Sequence, residues 1–576
     1  MGQNLSDEQP QRRSHEELTH ELAERFRSKC FTSLEFYSLK DVFKSLADQQ
    51  DSIRYMKEDT IARYLEIPDI LGASPVIFQM VSYLGAFPFL QDAPVVLELP
   101  RMIMVIVIMT ERYRTVLARG SSDRTKLLFR SLAVFDRKPS ESDAPPDAAQ
   151  LGEPNGKDEK VQGNSHVAGF AVDQAGDEVD DDDDEDDDLV LTAFELLDVK
   201  EAVDQGHAPK FHSATVPTDN FRKLLMLLLL AAPLDPQESL SLYSPHVVGE
   251  QLEGLRATAE CILASFVNAE TSPGIKYSHF KSIIPTFPNI KNDTPITKVA
   301  QPLLTDSGEI LNHNTLCQIS LFLPGSDLFR RVRLLYSGND AGFSMGSFQT
   351  KVFNWQAPTL LLVSGTRLSD IPEGGQEAAF AASLPTKRFP HGSKSDQLTF
   401  GVYVREPWKH THRECFGDSD TVLFQLEPIH DVFPASTINK DYVTFTKAPA
   451  HHPMLSFGCP HPHPSQAHRK VDMLHLGPVS LTLDDSFEFA VFNHDFTSRG
   501  GAFRSSSNVF QIESLEVWGC GGDAEARAQA ERWAWEEREA EARRKINLGT
   551  GDIEADRALL EMAGLIGGAR SGGSMG

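Results

Sequence analysis

Apolar residues recur at helical spacing over residues 15–135. Phe36, Leu39, Val42, Phe43 and Leu46 form one stripe, and Leu127, Leu128, Leu132 and Phe135 another. The pattern predicts helices. It stops over residues 137–188, which are rich in Pro, Gly, Asp and Glu, and resumes from Leu189 to about Ile284. The interruption therefore reads as a long acidic, disordered insertion inside one helical domain, residues 15–290. Met102–Met109 and Leu224–Ala232 are the most apolar runs. Each is about half the length a bilayer span requires, so both read as buried core helices.

From about Thr294 the period changes. Short apolar runs at Pro358–Val363, Leu398–Val404, Thr421–Leu426, Tyr442–Phe445, Phe487–Asn493 and Val509–Gly519 alternate with turn signals. They predict a mainly antiparallel β domain over residues 294–520 with a few helices. Gly417-Asp418-Ser419-Asp420 separates Cys415-Phe416 from Thr421–Leu426, as a hairpin loop would.

Gly519, Gly521 and Gly522 end this pattern, and residues 523–546 predict a helix. Strong helix formers fill it, and Glu539/Arg543 and Glu541/Lys545 form i,i+4 pairs. It has no continuous apolar stripe, and Trp533 and Trp535 fall on different faces. A helix this polar packs weakly on its own protein. It is a candidate partner-binding element, with Trp533, Trp535 and Arg538 as candidate contacts. Residues 1–14 and 567–576 read as disordered ends.

With 576 residues and 40% apolar content, the chain is long enough for two or three domains. The net charge is −27, but residues 139–188 alone carry −16 and the rest only −11. No broad basic stripe remains for nucleic acid, so no nucleic-acid partner is expected. The six cysteines include no CxxC pair, which reads as reduced thiols of a cytoplasmic protein. Residues 1–30 are polar and carry no signal peptide.

Several motifs need weighing. Gly342-Phe343-Ser344-Met345-Gly346 matches the G-x-S-x-G nucleophile elbow. The elbow requires a parallel strand running straight into it, and Gly338–Gly342 breaks any strand first. Ser344 reads better as a helix N-cap, with Phe348, Val352 and Trp355 forming the buried stripe behind it. Ala257–Asn268 with Tyr277–Ile284, and Leu39–Ala47 with Asp59–Leu65, are spaced like EF-hand helices. Setting Ile275 at the usual apolar loop position places His279 where calcium needs a bidentate Glu. These segments read as calcium-degenerate scaffolds. His451, His452, Cys459, His461, His463 and His468 crowd a Pro-rich stretch but match no zinc-ligand spacing, so an exposed loop is the preferred reading and no metal or cofactor is expected.

Met1-Gly2-Gln3-Asn4-Leu5-Ser6 fits the N-myristoylation pattern, with Gly2 as acceptor; the alternative is an ordinary polar terminus. One myristoyl chain binds membrane with K of only about 10⁴ M⁻¹. A second contact, such as a membrane-bound protein, is needed.

The β region resembles the TLDc domain. The residues that carry this are Leu334-Leu335-Tyr336-Ser337, Asp340–Ser344, Phe348, Pro358–Val363, Phe400-Gly401-Val402-Tyr403, Cys415-Phe416-Gly417, Thr421–Phe424 and Ile512–Gly519. Within that superfamily the chain is similar to the fungal restriction of telomere capping branch. The Met1-Gly2-Gln3 start and Phe457-Gly458-Cys459-Pro460, followed by His468–Leu474 and Gly477-Pro478-Val479, carry that likeness. One departure is His451–His468, which stands where many TLDc domains have a Gly-rich segment.

With the EF-hand-like helical N-terminal domain and the C-terminal helix read from the pattern, an α+β protein is expected; the resemblance implies the TLDc antiparallel β-sandwich with flanking helices. It implies no enzymatic activity, a genetic link to telomere capping, a part in oxidative-stress resistance, and binding to the vacuolar proton-pumping ATPase. The expected location is the cytoplasm, with peripheral attachment at the vacuolar membrane. The competing expectation is a cytoplasmic stress-response protein that never touches the pump.

Overall fold

The computed structural model describes residues 13–50, 53–117, 124–135, 188–197, 214–234, 238–267, 274–287, 306–323, 332–369, 374–385, 396–411, 414–435, 440–447, 453–460, 476–494, 506–521 and 523–546, together with residues 304, 371 and 474. Gly2, nearly all of the acidic insertion and the C-terminal tail lie outside them. The chain forms two compact units, one ending at Phe287 and the other running from Ile296 to the C-terminus, with the short connecting segment divided between them.

The first unit is helical. It opens with α1 (His15–Cys30) and α2 (Ser33–Leu46), each started by a capping box. In α1 the Ser14 hydroxyl accepts from the Glu17 N–H at 3.2 Å, and Glu17 accepts from the Ser14 N–H at 3.0 Å. The order continues β1 (Asp48–Gln50), β2 (Ile53–Tyr55), α3 (Glu58–Tyr64), α4 (Ser74–Gly85), α5 (Leu99–Met109), α6 (Thr125–Leu132), β3 (Val134–Phe135), α7 (Asp188–Leu196), β4 (Ala214–Pro217), α8 (Thr218–Ala231), α9 (Glu250–Phe266), β5 (Gly274–Ile275) and α10 (Tyr277–Ile283).

Both apolar runs are core helices: Met104, Val107 and Ile108 of α5, and Leu229 and Leu230 of α8, are almost fully buried. Among the described residues no helix is long and apolar enough to cross a membrane. The stripe of α2 is less buried than its spacing suggests. Only Phe43 is buried there, and Leu34 and Tyr37 are largely exposed.

Two antiparallel bridges organise these helices. Met56 and Leu97 exchange backbone hydrogen bonds at 2.9 and 3.0 Å, joining the loop before α3 to the loop before α5. Val216 pairs with Ile275 in the same way, joining the entry to α8 and the entry to α10. Each bridge couples two helix–loop–helix units, as in paired EF-hands. Four residues beyond each bridging residue, where a calcium loop places its bidentate Glu, stand Thr60, Arg101, Asn220 and His279. None is a carboxylate. The acidic insertion leaves after β3 and the chain returns at β4, and these two strands pair, Val134 with Thr215 and Phe135 with Ala214. The chain thus leaves and rejoins this small sheet at adjacent strands, with α7 packed on the unit in between.

The second unit is a β-sandwich with flanking helices. In order it comprises α11 (His313–Ser320), β6 (Arg333–Ser337), α12 (Gly338–Ala341), α13 (Met345–Val352), β7 (Thr359–Arg367), α14 (Gly375–Ser383), β8 (Gln397–Val404), β9 (Val422–Glu427), β10 (Asp431–Pro434), β11 (Val443–Thr446), β12 (Met454–Phe457), β13 (Val479–Asp484), β14 (Phe489–His494), β15 (Ser506–Gly519) and α15 (Asp523–Ile546). One antiparallel path runs β10-β9-β8-β7-β15-β14-β13-β12-β11, with β6 beside β15. It folds on itself. Phe400 of β8 and Phe492 of β14 are three strands apart in the path, yet their rings stack 4.3 Å apart. The long strand β15 makes this possible: its first half pairs with β14, its last residues with β6, and a bulge between Ile512 and Ser514 marks the change.

One sequence expectation fails here. Phe416 does not pair with β9 across the 417–420 turn. It bridges Val443 of β11, with backbone bonds at 2.9 Å in both directions. Gly417, at φ +111°, lets the chain cross toward the other half of the sheet rather than fold back.

Candidate functional site

The α15 helix is held by a small seat built from α13. Ser344 caps α13 by accepting from the Ser347 N–H at 3.2 Å, so its hydroxyl serves the helix end. Phe348, Val352 and Trp355 are 0–1% exposed and anchor α13 to the sandwich. The Trp355 indole N–H lies 3.1 Å from the Pro358 carbonyl and 3.3 Å from that of Cys520. It therefore locks the end of β15 to the start of β7, fixing where α15 departs. A side chain at Gly519 would run into the Trp355 ring.

Helix C-termini leave carbonyls without intrahelical partners. At the end of α13 one of these is met by α15, where Gln529 Nε2 donates to the Lys351 carbonyl at 3.4 Å, and just beyond the helix Arg532 donates to the Asn354 carbonyl. The Lys351 ammonium sits over the Trp533 ring, 5.1 Å from its centroid. Gln529 is only 3% exposed. Polar donors rather than an apolar stripe make this seat, which is why residues 523–546 read as weakly packing.

The three candidate contact residues separate. Trp533 is half-buried in the seat. Two residues on, about 200° around the helix, Trp535 is 57% exposed. Arg538 lies on the same open side, its Nε donating to the Ala534 carbonyl at 3.1 Å. Gly2 and most of the His451–His468 stretch lie outside the described residues. Of that stretch, Cys459 is buried, and its thiol meets the Thr482 hydroxyl at 3.2 Å. Among the described residues no group of three or more His, Cys, Asp or Glu side chains is placed to hold a metal ion.

A buried carboxylate escaped the sequence reading. Glu516 of β15 is 2% exposed. It accepts from the backbone N–H groups of Glu309, Ile310 and Leu311, at 3.0 Å for Ile310 and 3.1 Å for Leu311, and from the Trp518 indole at 2.9 Å. It clamps the bend that leads into α11 onto β15. Gly308 leaves the room for this, since a Cβ there would strike Glu516 and Trp518. Glu309 in turn accepts from Asn339 and Ser514. The only local signal was a lone Glu between Leu515 and Val517.

The six cysteines are free. Burial pushes the Cys520 thiol up to about 12 and raises that of Cys317 further still. Cys459 is buried as well. Alkylation followed by peptide mass spectrometry is therefore expected to modify Cys317, Cys459 and Cys520 only after denaturation, with Cys415 reacting in the native protein. Native labelling of Cys317 or Cys520 as fast as Cys415 would refute this placement.

Residues 304–521 match the model of the TLDc domain. This is the β-sandwich with its clamp, ending just before α15. Over its whole length the chain is similar to proteins named "Restriction of telomere capping protein 5". It is 92% identical to that of Fusarium vanettenii over 607 aligned positions, covering 100% of both chains. It is 61% identical to that of Colletotrichum graminicola and 52% identical to that of Pyricularia oryzae, again covering 100% of both. The chain belongs to the fungal restriction of telomere capping branch of the TLDc superfamily.

Proposed function

We propose that the chain is a non-catalytic adaptor that binds the vacuolar proton-pumping ATPase at a membrane surface, with the TLDc unit and α15 gripping different subunits and changing how the pump's soluble sector holds together. The observation that carries this reading is Trp535, a large aromatic left 57% exposed on an otherwise polar helix whose opposite face is already seated. Exposed aromatics beside an Arg are the side chains that dominate protein–protein binding energy. The choice of partner is the expectation carried by the TLDc resemblance, and the family and the relatives' names suggest a role other than catalysis. The telomere connection in the relatives' name is read as a genetic effect rather than a biochemical mechanism. A myristoyl group on Gly2 would add a weak membrane contact that the protein partner completes.

Affinity capture from detergent-treated membranes tests this. The wild-type chain is expected to enrich pump subunits. Deletion of residues 523–576 is expected to reduce that recovery at least tenfold without unfolding the sandwich, and Gly2→Ala to shift the protein from membrane to soluble fractions. Recovery from cytosol with no pump subunits would reject the adaptor reading in favour of a soluble stress-response role.

A further inference from the structure

The helix α7 follows the acidic run and is joined to β3 by residues 136–187 and to β4 by residues 198–213. It has nine residues, too few to persist as a helix in water without packing. Its packing is nevertheless thorough: Leu189 and Ala193 are 0%, Leu197 1% and Val190 5% exposed. The Phe194 ring lies 5.5 Å from Phe89, which itself stacks on His15 of α1 at 4.0 Å. The C-terminal end is read by two arginines. Arg25 of α1 donates to the Leu196 carbonyl at 2.6 Å, and Arg13, just before α1, to that of Leu197 at 2.9 Å. Glu21 pairs with both, at 2.6 Å for Arg25 and 2.8 Å for Arg13, so the guanidiniums are held ready for a helix end. Cations there also meet the negative end of the helix dipole.

Such a seat has two features of a helix-binding site: an aromatic contact at Phe89 and a charged stop that sets polarity. We propose that the face formed by α1 and Phe89 is a helix-binding site, that α7 is its resident ligand supplied in cis by the acidic insertion, and that the site exchanges α7 for an amphipathic helix of a partner protein. That helix would carry apolar residues at i, i+1, i+4 and i+8 and end where Arg13 and Arg25 meet its last carbonyls. The paired strands β3 and β4 make exchange possible without unfolding, because the detour begins and ends at one place. The tethered helix competes at an effective concentration on the order of millimolar, which keeps the site closed to weak binders.

The test replaces residues 136–213 with an Asn-Gly turn joining Phe135 to Ala214, and titrates a fluorescent peptide of residues 186–198. The peptide is expected to bind this variant saturably and to bind the intact chain at least tenfold more weakly. Leu189→Asp in the peptide, or Arg25→Ala in the protein, is expected to weaken binding at least tenfold. No saturable binding by a variant that melts cooperatively would overturn the proposal. Should that variant not fold, protease sites placed within 160–175 and 200–210 of the full chain allow α7 to be cut free after folding. Replacement of the cut helix by labelled peptide supports the proposal, and its retention against excess peptide through gel filtration overturns it.

Discussion

Glu516→Ala is expected to destabilise the TLDc unit by about 3–5 kcal/mol, the summed cost of breaking a buried hydrogen-bond network. Truncation leaves the N–H groups of Ile310 and Leu311 and the Trp518 indole buried without their acceptor. Each such orphan costs about 1–3 kcal/mol. For a unit of this size the loss corresponds to a melting shift of roughly 10 °C. Glu516→Gln keeps the volume and one acceptor oxygen but turns an NH₂ toward N–H donors, so an intermediate loss is expected. The readout is unusually clean. All five tryptophans, Trp355, Trp408, Trp518, Trp533 and Trp535, lie in the second unit, so intrinsic fluorescence follows its melting alone. A loss under about 1 kcal/mol for Glu516→Ala would show that the clamp is dispensable.

Gly365→Ala should be nearly as damaging. Gly365 lies in β7 opposite Ile512, at the point where β15 bulges, and a Cβ there would fall on the backbone carbonyl of Gln511. The obstacle is backbone in the centre of the sheet, so no side-chain rotation relieves it. Overpacking in a core costs about 1–3 kcal/mol, and the upper end or loss of soluble protein is expected here. Gly374→Ala is the control. Nothing lies within 4 Å of the added methyl, and its φ of −131° suits any residue. Its cost should be limited to about 1 kcal/mol, the preference for Gly over Ala at the helix N-cap it occupies. Equal melting of both variants would contradict the close approach of β7 and β15.

These two sites also mark where sequence reading stops. The strands with clear runs, such as Leu398–Val404 and Phe487–Asn493, were legible because their apolar residues are dense and end at turns. The short strands β10 and β12 were not. All four residues of β12 are buried, so no alternation betrays it. The supposed hairpin at 417–420 failed because Phe416 chooses a partner in β11, which no local pattern reveals. Glu516 joins backbone groups about 200 residues earlier in the chain, so along the sequence it is merely an acid in a strand. The α15 seat was invisible for a different reason. It uses Gln529 and Arg532 against helix-end carbonyls, and such contacts leave no apolar periodicity. The EF-hand-like pairing was half legible. The spacing around Ile275 pointed to a loop, but the bridge to Val216 lies across the acidic insertion's return strand.

The adaptor reading rests on the open face of α15, and one comparison tests it most directly: the affinity of purified vacuolar ATPase for the wild-type chain and for Trp535→Ala, measured on immobilised protein. A central aromatic contact is worth about 2 kcal/mol or more, so Trp535→Ala should weaken binding at least tenfold. Its tryptophan-fluorescence melt should match wild type, because the seat through Gln529, Arg532 and Trp533 is untouched. Wild-type affinity in Trp535→Ala, or no measurable binding by the wild-type chain, would contradict the account.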